Sequence, residues 1–109
     1  MELSMRYTAA QLETIIEEAS IYMCACPAQV AVAIRQLRDL HRYQVTCIRS
    51  PQGIPGVHER IVEATAVAHA EMERCLTDIM TMEGWDPVTF RMPEGLRQRR
   101  DAAIASGEF

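Results

Sequence analysis

The chain has 109 residues, of which 49% are hydrophobic, and its formal net charge at pH 7 is −4. This length and composition predict one folded domain and exclude a disordered chain. All eleven basic residues are Arg, and neither Lys nor Asn occurs, a bias typical of a GC-rich bacterial coding sequence. The negative net charge argues against a nucleic-acid partner, because such partners are bound mainly through their phosphates.

The amino-terminal residues have neither the basic start nor the apolar run of a signal peptide. No segment approaches the roughly 20 consecutive apolar residues that span a bilayer, so we expect no membrane partner and a cytoplasmic location. Cysteines in that compartment stay reduced, which favours free thiols over disulfides.

The first predicted helix begins after Thr8, which forms a capping box with Gln11 three residues later. We expect this helix to run from about residue 9 to about residue 24. Pro27 is disfavoured inside a helix but suits a first turn, so it predicts a second helix over Ala28–Ile48.

Residues 50–56 contain two Pro and two Gly, a composition typical of a loop. A third helix is predicted from Val57 to about Glu83, ending at Gly84, since glycine is favoured just past a helix end. Beyond a turn capped by Asp86, Pro93 predicts the start of a last short helix.

These elements predict an all-α protein with an antiparallel three-helix core and a carboxyl-terminal tail of short helical segments. The helical bundle domain would span residues 1–84, and the extension 85–109 would pack on it or on a second subunit. Short helices need such a surface to be stable. The expected anchors of the tail are Trp85, Phe90, Met92 and Leu96. We expect homo-oligomerisation to complete the bundle.

Helical periodicity places His41 and Gln44 on the apolar side of the second helix, and Thr65 and His69 on that of the third. Antiparallel pairing across the loop brings these four side chains together. One interpretation is a hydrogen-bonded core network. The alternatives are a ligand pocket, a metal or haem held by His41 and His69, or a histidine acting on a substrate.

Charged side chains, including Arg38 on the second helix and Glu71 and Glu73 on the third, are predicted to face solvent. The His69-to-Glu73 stretch invites comparison with carboxylate di-iron bundles, which need inward-facing Glu residues and Glu-x-x-His spacing. With the carboxylates facing outward and Glu63 six residues before His69, the sequence argues against a di-iron protein.

The cysteines suggest another site, since Cys24, Cys26 and Cys75 are predicted to gather at one end of the bundle. A thiol near the start of a helix has a lowered pKa, which favours redox or metal chemistry. The alternative is that these cysteines are small buried hydrophobes.

No phosphate-binding loop, nucleophile elbow or zinc-protease motif occurs in the sequence. We therefore expect a small helical binding or regulatory protein, homo-oligomeric and without catalytic activity, that requires no cofactor and binds a protein partner. The alternative functions are thiol redox or metal chemistry at Cys24, Cys26 and Cys75, and cofactor binding at His41 and His69.

Overall fold

The computed structural model describes residues 2–19, 25–50 and 53–107. Four helices make up most of this part of the chain: α1 (Ala9–Ala19), α2 (Cys26–Ile48), α3 (Val57–Glu83) and α4 (Glu94–Ser106). The described residues contain no strand, so the predicted all-α class is confirmed. None of the described helices combines the length and the apolar character that crossing a membrane requires.

The helix ends follow the local signals in the sequence. The Thr8 N–H donates to Gln11 Oε1 at 2.9 Å and the Gln11 N–H donates to Thr8 Oγ1 at 3.0 Å, which completes the predicted capping box. Pro27 lies in the first turn of α2, which begins slightly earlier than predicted. Gly84 adopts a left-handed conformation with φ 80° at the end of α3, as predicted. The predicted end of α1 near residue 24 lies outside the described residues.

α2 packs against both α1 and α3. α2 and α3 form a long antiparallel hairpin, in which Arg38 contacts His69 and Gln44 contacts His58 further from the core. The radius of gyration is 17.2 Å, against about 13 Å for a compact domain of this length. The elongation arises because α1, with eleven residues, covers only part of a hairpin whose helices have 23 and 27.

The tail anchors pack on their own chain. Trp85, Phe90 and Met92 are buried within the main core cluster, and Leu96 packs against it. The Phe90 ring meets that of Tyr7 edge to face, with 6.0 Å between the ring centroids. Each buried side chain of this size contributes about 1.5–3 kcal/mol through loss of contact with water. The tail is therefore joined to the core that α1, α2 and α3 share.

Candidate functional site

A buried ion pair joins α2 to α3. Arg38 Nη2 donates to Glu73 Oε2 at 3.1 Å, and the two side chains are only 10% and 2% exposed. Arg38 Nε also donates to Nε2 of His69 at 3.0 Å. The prediction that Arg38 and Glu73 face solvent is therefore wrong. We call Arg38, His69 and Glu73 the central triad.

Helical spacing accounts for the burial of these charges. Glu73 follows His69 by four residues and precedes Leu76 by three, so it lies on the inner face of α3. Arg38 follows the buried Ile34 by four residues on α2. Because charged residues are seldom buried unless paired, the sequence alone predicts both at the surface despite this spacing.

The central triad also binds the backbone of the amino-terminal segment. Glu73 Oε2 accepts the N–H of Arg6 at 2.8 Å and that of Tyr7 at 3.2 Å. Arg38 Nη2 donates to the Tyr7 carbonyl oxygen at 2.7 Å, and the Tyr7 hydroxyl is hydrogen-bonded to that of Thr77. These contacts fix the segment across α2 and α3, and no periodicity or motif in the sequence predicted its position.

The Arg38 contact fixes the protonation of His69. A guanidinium nitrogen only donates, so Nε2 of His69 must accept, and the neutral imidazole carries its proton on Nδ1. Nδ1 lies 3.7 Å from Glu73 Oε1. Burial is the main cause that lowers the pKa of His69; the Glu73 carboxylate opposes it, and the charge of Arg38 adds to it. His69 is thus held as a neutral acceptor.

The four residues of the predicted polar cluster bond to different partners. Gln44 Oε1 lies 2.6 Å from His58 Nδ1, and Thr65 Oγ1 donates to the Ile61 carbonyl oxygen at 2.7 Å. Nε2 of His41 is buried and has no hydrogen-bond partner among the described residues. The hydrogen bonds found in this part of the chain therefore do not join His41, Gln44, Thr65 and His69 into one network.

A groove of about 680 Å³ runs between residues 2–5 and the last turns of α2. Its lining brings together four nitrogen-bearing side chains from α2 and the residue that caps its carboxyl-terminal end, namely Arg38, His41, Arg42 and Arg49. Apolar side chains from both walls, Leu3, Met5 and Val45, complete it with Glu2 and Thr46. We call this cavity the amino-terminal groove.

The predicted thiol site is described only in part. Cys24 lies outside the described residues, while Cys26 is exposed and Cys75 is half-buried. Within the described ranges, no three His, Cys, Asp or Glu side chains are grouped so that they could hold a metal ion. One reason given against a di-iron protein, an outward-facing Glu73, is wrong, because Glu73 is buried and paired with Arg38.

No family model, curated protein or solved structure matches this chain. Relatives therefore supply no substrate, cofactor or partner. The residues of the central triad and the amino-terminal groove, with their contacts, are the basis on which a function is assigned.

Proposed function

We propose that this protein is a small helical binding protein that takes up an organic anion, a carboxylate with a short hydrocarbon chain, in the amino-terminal groove. The observation that carries the proposal is the convergence of three guanidinium groups and a histidine with an unpartnered buried nitrogen on one cavity. Its volume of about 680 Å³ lies in the range of small-molecule sites, about 300–1,000 Å³.

Two guanidinium groups are available to the anion. Arg42 pairs with Asp39 at 3.0 Å, but both side chains are more than 70% exposed, and such pairs contribute at most about 1 kcal/mol. Arg49 forms no ion pair with any described residue. Because guanidinium donors match the two oxygens of a carboxylate, Arg42 and Arg49 are the expected anion-binding residues.

Arg38 has a different role at the base of the groove. Its guanidinium is already bonded to Glu73, His69 and the Tyr7 carbonyl oxygen, so it holds the groove wall in place. His41 adds an imidazole whose Nε2 atom has no described partner. A ligand oxygen or an ordered water would satisfy that nitrogen, since buried polar atoms are nearly always hydrogen-bonded.

The apolar wall of the groove determines which chemical group the ligand carries besides its carboxylate. Leu3 and Val45 are half-buried, and Met5 is 60% exposed at the edge of the groove. A hydrocarbon chain packed against these side chains would gain about 25 cal/mol for each Å² that it removes from water. This wall favours a carboxylate with an alkyl chain over an inorganic anion.

The test is calorimetric titration of the full chain with hexanoate and, in parallel, with the uncharged hexanol. We expect hexanoate to bind, hexanol to bind at least tenfold more weakly, and Arg49→Gln to lose at least tenfold in hexanoate affinity. Arg99→Gln, which removes an exposed charge from α4, is the matched control and should leave binding unchanged. Equal binding of hexanol, or no hexanoate binding at millimolar concentration, would contradict the proposal.

We also propose that the protein acts as a homo-oligomer, in which further copies complete a bundle around an antiparallel core of α1, α2 and α3. Two observations support this proposal. The chain is elongated, with extents of 57 × 26 × 18 Å. Large apolar side chains also lie at its surface, including Tyr43 at 66% and Val67 at 69% exposure.

The alternative functions stay predictions with simple tests. Thiol redox or metal chemistry at Cys24, Cys26 and Cys75 predicts one thiol that reacts much faster than the others at neutral pH, or stoichiometric metal in the purified protein. Cofactor binding at His41 and His69 predicts a Soret band after haem is added. Four ordinary thiols, no metal and an unchanged spectrum would exclude both alternatives.

A further inference from the structure

Each helix of the α2–α3 hairpin carries a second uncharged line of side chains beside its buried one. The residues recur every three, four or seven positions, so each set forms one continuous line along its helix. Most are half-buried, and Leu40 is 41% exposed. We call the two lines together the outer stripe, which consists of Val30, Ala33, Leu37 and Leu40 on α2 and Ile61, Ala68, Met72, Cys75 and Ile79 on α3.

On α2, the outer stripe lies away from the side of the helix that α1 covers, while Val30, Met72 and Ile79 also pack at their inner edge against the main core cluster. On α2, Arg35 reaches Glu13 of α1, which marks the side of the helix that α1 covers. At about 100° per residue, the stripe residues of α2 lie about 140–160° around the helix from Arg35. A partner could therefore cover the outer stripe on α2 without displacing α1.

We propose that a second copy of this chain packs on the outer stripe in antiparallel orientation, an inference that rests on the proposed homo-oligomer. The two-fold axis lies at the level of Leu37 on α2 and Ala70 on α3. The hydrogen bond between Arg38 and His69 places these two levels side by side in one chain. Each helix then packs against its own copy, and the two hairpins form a bundle of four long helices.

The sizes of the side chains along the outer stripe are complementary across the proposed two-fold axis. On α3, Ile61 meets Ile79 of the second copy, and the small Ala68 meets the larger Met72 of the second copy. On α2, Ala33 comes opposite Leu40 of the second copy. A two-fold interface must be complementary to itself, and facing small and large residues let the two surfaces interdigitate. An unrelated partner would not require this symmetry.

The positions of the charged residues that flank the outer stripe on α3 are also compatible with the proposed two-fold axis. Arg60 and Asp78 are exposed and lie five turns of about 3.6 residues apart, so both project from the same side of α3. In an antiparallel pair of identical helices, matching sides face each other. Arg60 and Asp78 of the second copy therefore project from the same edge of the helix pair at both ends of the interface, and their charges are opposite.

A shallow cavity of about 700 Å³ lies along the same edge of α3. Ala64, Val67 and Ala68 form its apolar part, and the charged side chains of Arg60, Glu63 and Glu71 border it. Alanine side chains allow a second helix to approach closely, and Val67, 69% exposed, would be covered by that approach. This cavity adjoins the centre of the proposed interface.

The first experiment measures the molecular mass of the full chain by light scattering at increasing concentration. We expect twice the 12.3 kDa mass of one chain. Leu40→Glu should weaken dimerisation at least 100-fold, because it sets a carboxylate against the apolar surface of the second copy. Val88→Glu makes the same change at an 83% exposed position in the tail and should leave the dimer intact. Circular dichroism verifies that both variants are folded.

A charge exchange tests the register with exposed residues whose substitution does not disturb the core. Arg60→Asp places like charges together and should weaken the dimer several-fold, while the double variant Arg60→Asp with Asp78→Arg should restore it. A monomeric wild type overturns both the homo-oligomer and its interface. A dimer that survives Leu40→Glu overturns the interface alone, and a charge exchange that gives no rescue overturns the antiparallel register.

Discussion

Arg38 and Glu73 form an ion pair with an N···O distance of 3.1 Å between side chains that are 10% and 2% exposed. The same carboxylate oxygen accepts the backbone N–H groups of Arg6 and Tyr7. One buried pair therefore joins α2 to α3 and attaches the amino-terminal segment to both. This arrangement makes the stability of the fold and the shape of the amino-terminal groove depend on the same two side chains.

Glu73→Gln should destabilise the protein strongly. The substitution keeps the size of the side chain but leaves the Arg38 guanidinium buried without a counter-charge, which costs about 3–5 kcal/mol. The measurement is the free energy of unfolding in urea. Glu71→Gln is the control, since Glu71 pairs with Arg74 at the surface and its loss should cost less than about 1 kcal/mol. Similar small losses for both variants would refute a structural role for the pair.

The lowered pKa of His69 predicts that the protein loses stability on mild acidification. Its pKa in the folded protein is lowered below 6.5, mainly by burial. As the pH falls through about 6.5, the unfolded chain takes up a proton that the folded protein does not, so the free energy of unfolding decreases. Above that pH, His69 is neutral in both the folded and the unfolded protein, and its contribution to the free energy of unfolding is fully present.

Urea unfolding between pH 7.5 and pH 5 tests this sign. His69→Gln, which lacks the titrating group, should show a smaller decrease over the interval than the wild type does. Protonation of His69 would also place a second donor against Arg38 Nε, which now donates to Nε2. An identical pH dependence in the two proteins would show that His69 does not cause it.

Local signals predicted most of the helical architecture. The reciprocal contacts of Thr8 and Gln11, the start at Pro27 and the end at Gly84 are short-range effects that a few neighbouring residues determine. The antiparallel order of α2 and α3 follows from the short connection after Ile48. The path of residues 2–8 across the hairpin was not predicted, because it depends on contacts with residues more than 60 positions away.

The site was harder to predict than the fold. His69 was expected to be buried, and it is 1% exposed. Its partners were assigned to the surface because an isolated charge is costly to bury, whereas Arg38 and Glu73 are buried as a pair. The contacts that make this burial possible involve α2, α3 and the backbone of the amino-terminal segment. The periodicity of a single helix does not reveal them.

Two glycines should respond to alanine with opposite signs. Gly84 has φ 80°, and a side chain in that left-handed conformation costs about 1–2 kcal/mol. Gly95 is the second residue of α4, where an added Cβ would meet no atom within 4 Å, so alanine there should stabilise by about 0.4–1 kcal/mol by restricting the unfolded chain. Thermal unfolding should show a lower midpoint for Gly84→Ala and a higher one for Gly95→Ala. Equal shifts would contradict the backbone argument.

Thr8→Ala should reduce stability by about 1 kcal/mol, because it removes the oxygen that accepts the Gln11 N–H at the start of α1. Thr14→Ala, a substitution inside α1, is the matched control. The Thr14 hydroxyl is exposed and, among the described residues, bonds only to the Ala10 carbonyl oxygen one turn earlier, and alanine is the better helix former. We expect the control to unfold at the same or a higher urea concentration than the wild type. If both variants lose equal stability, the general effect of replacing a threonine by alanine, and not loss of the cap, is the cause.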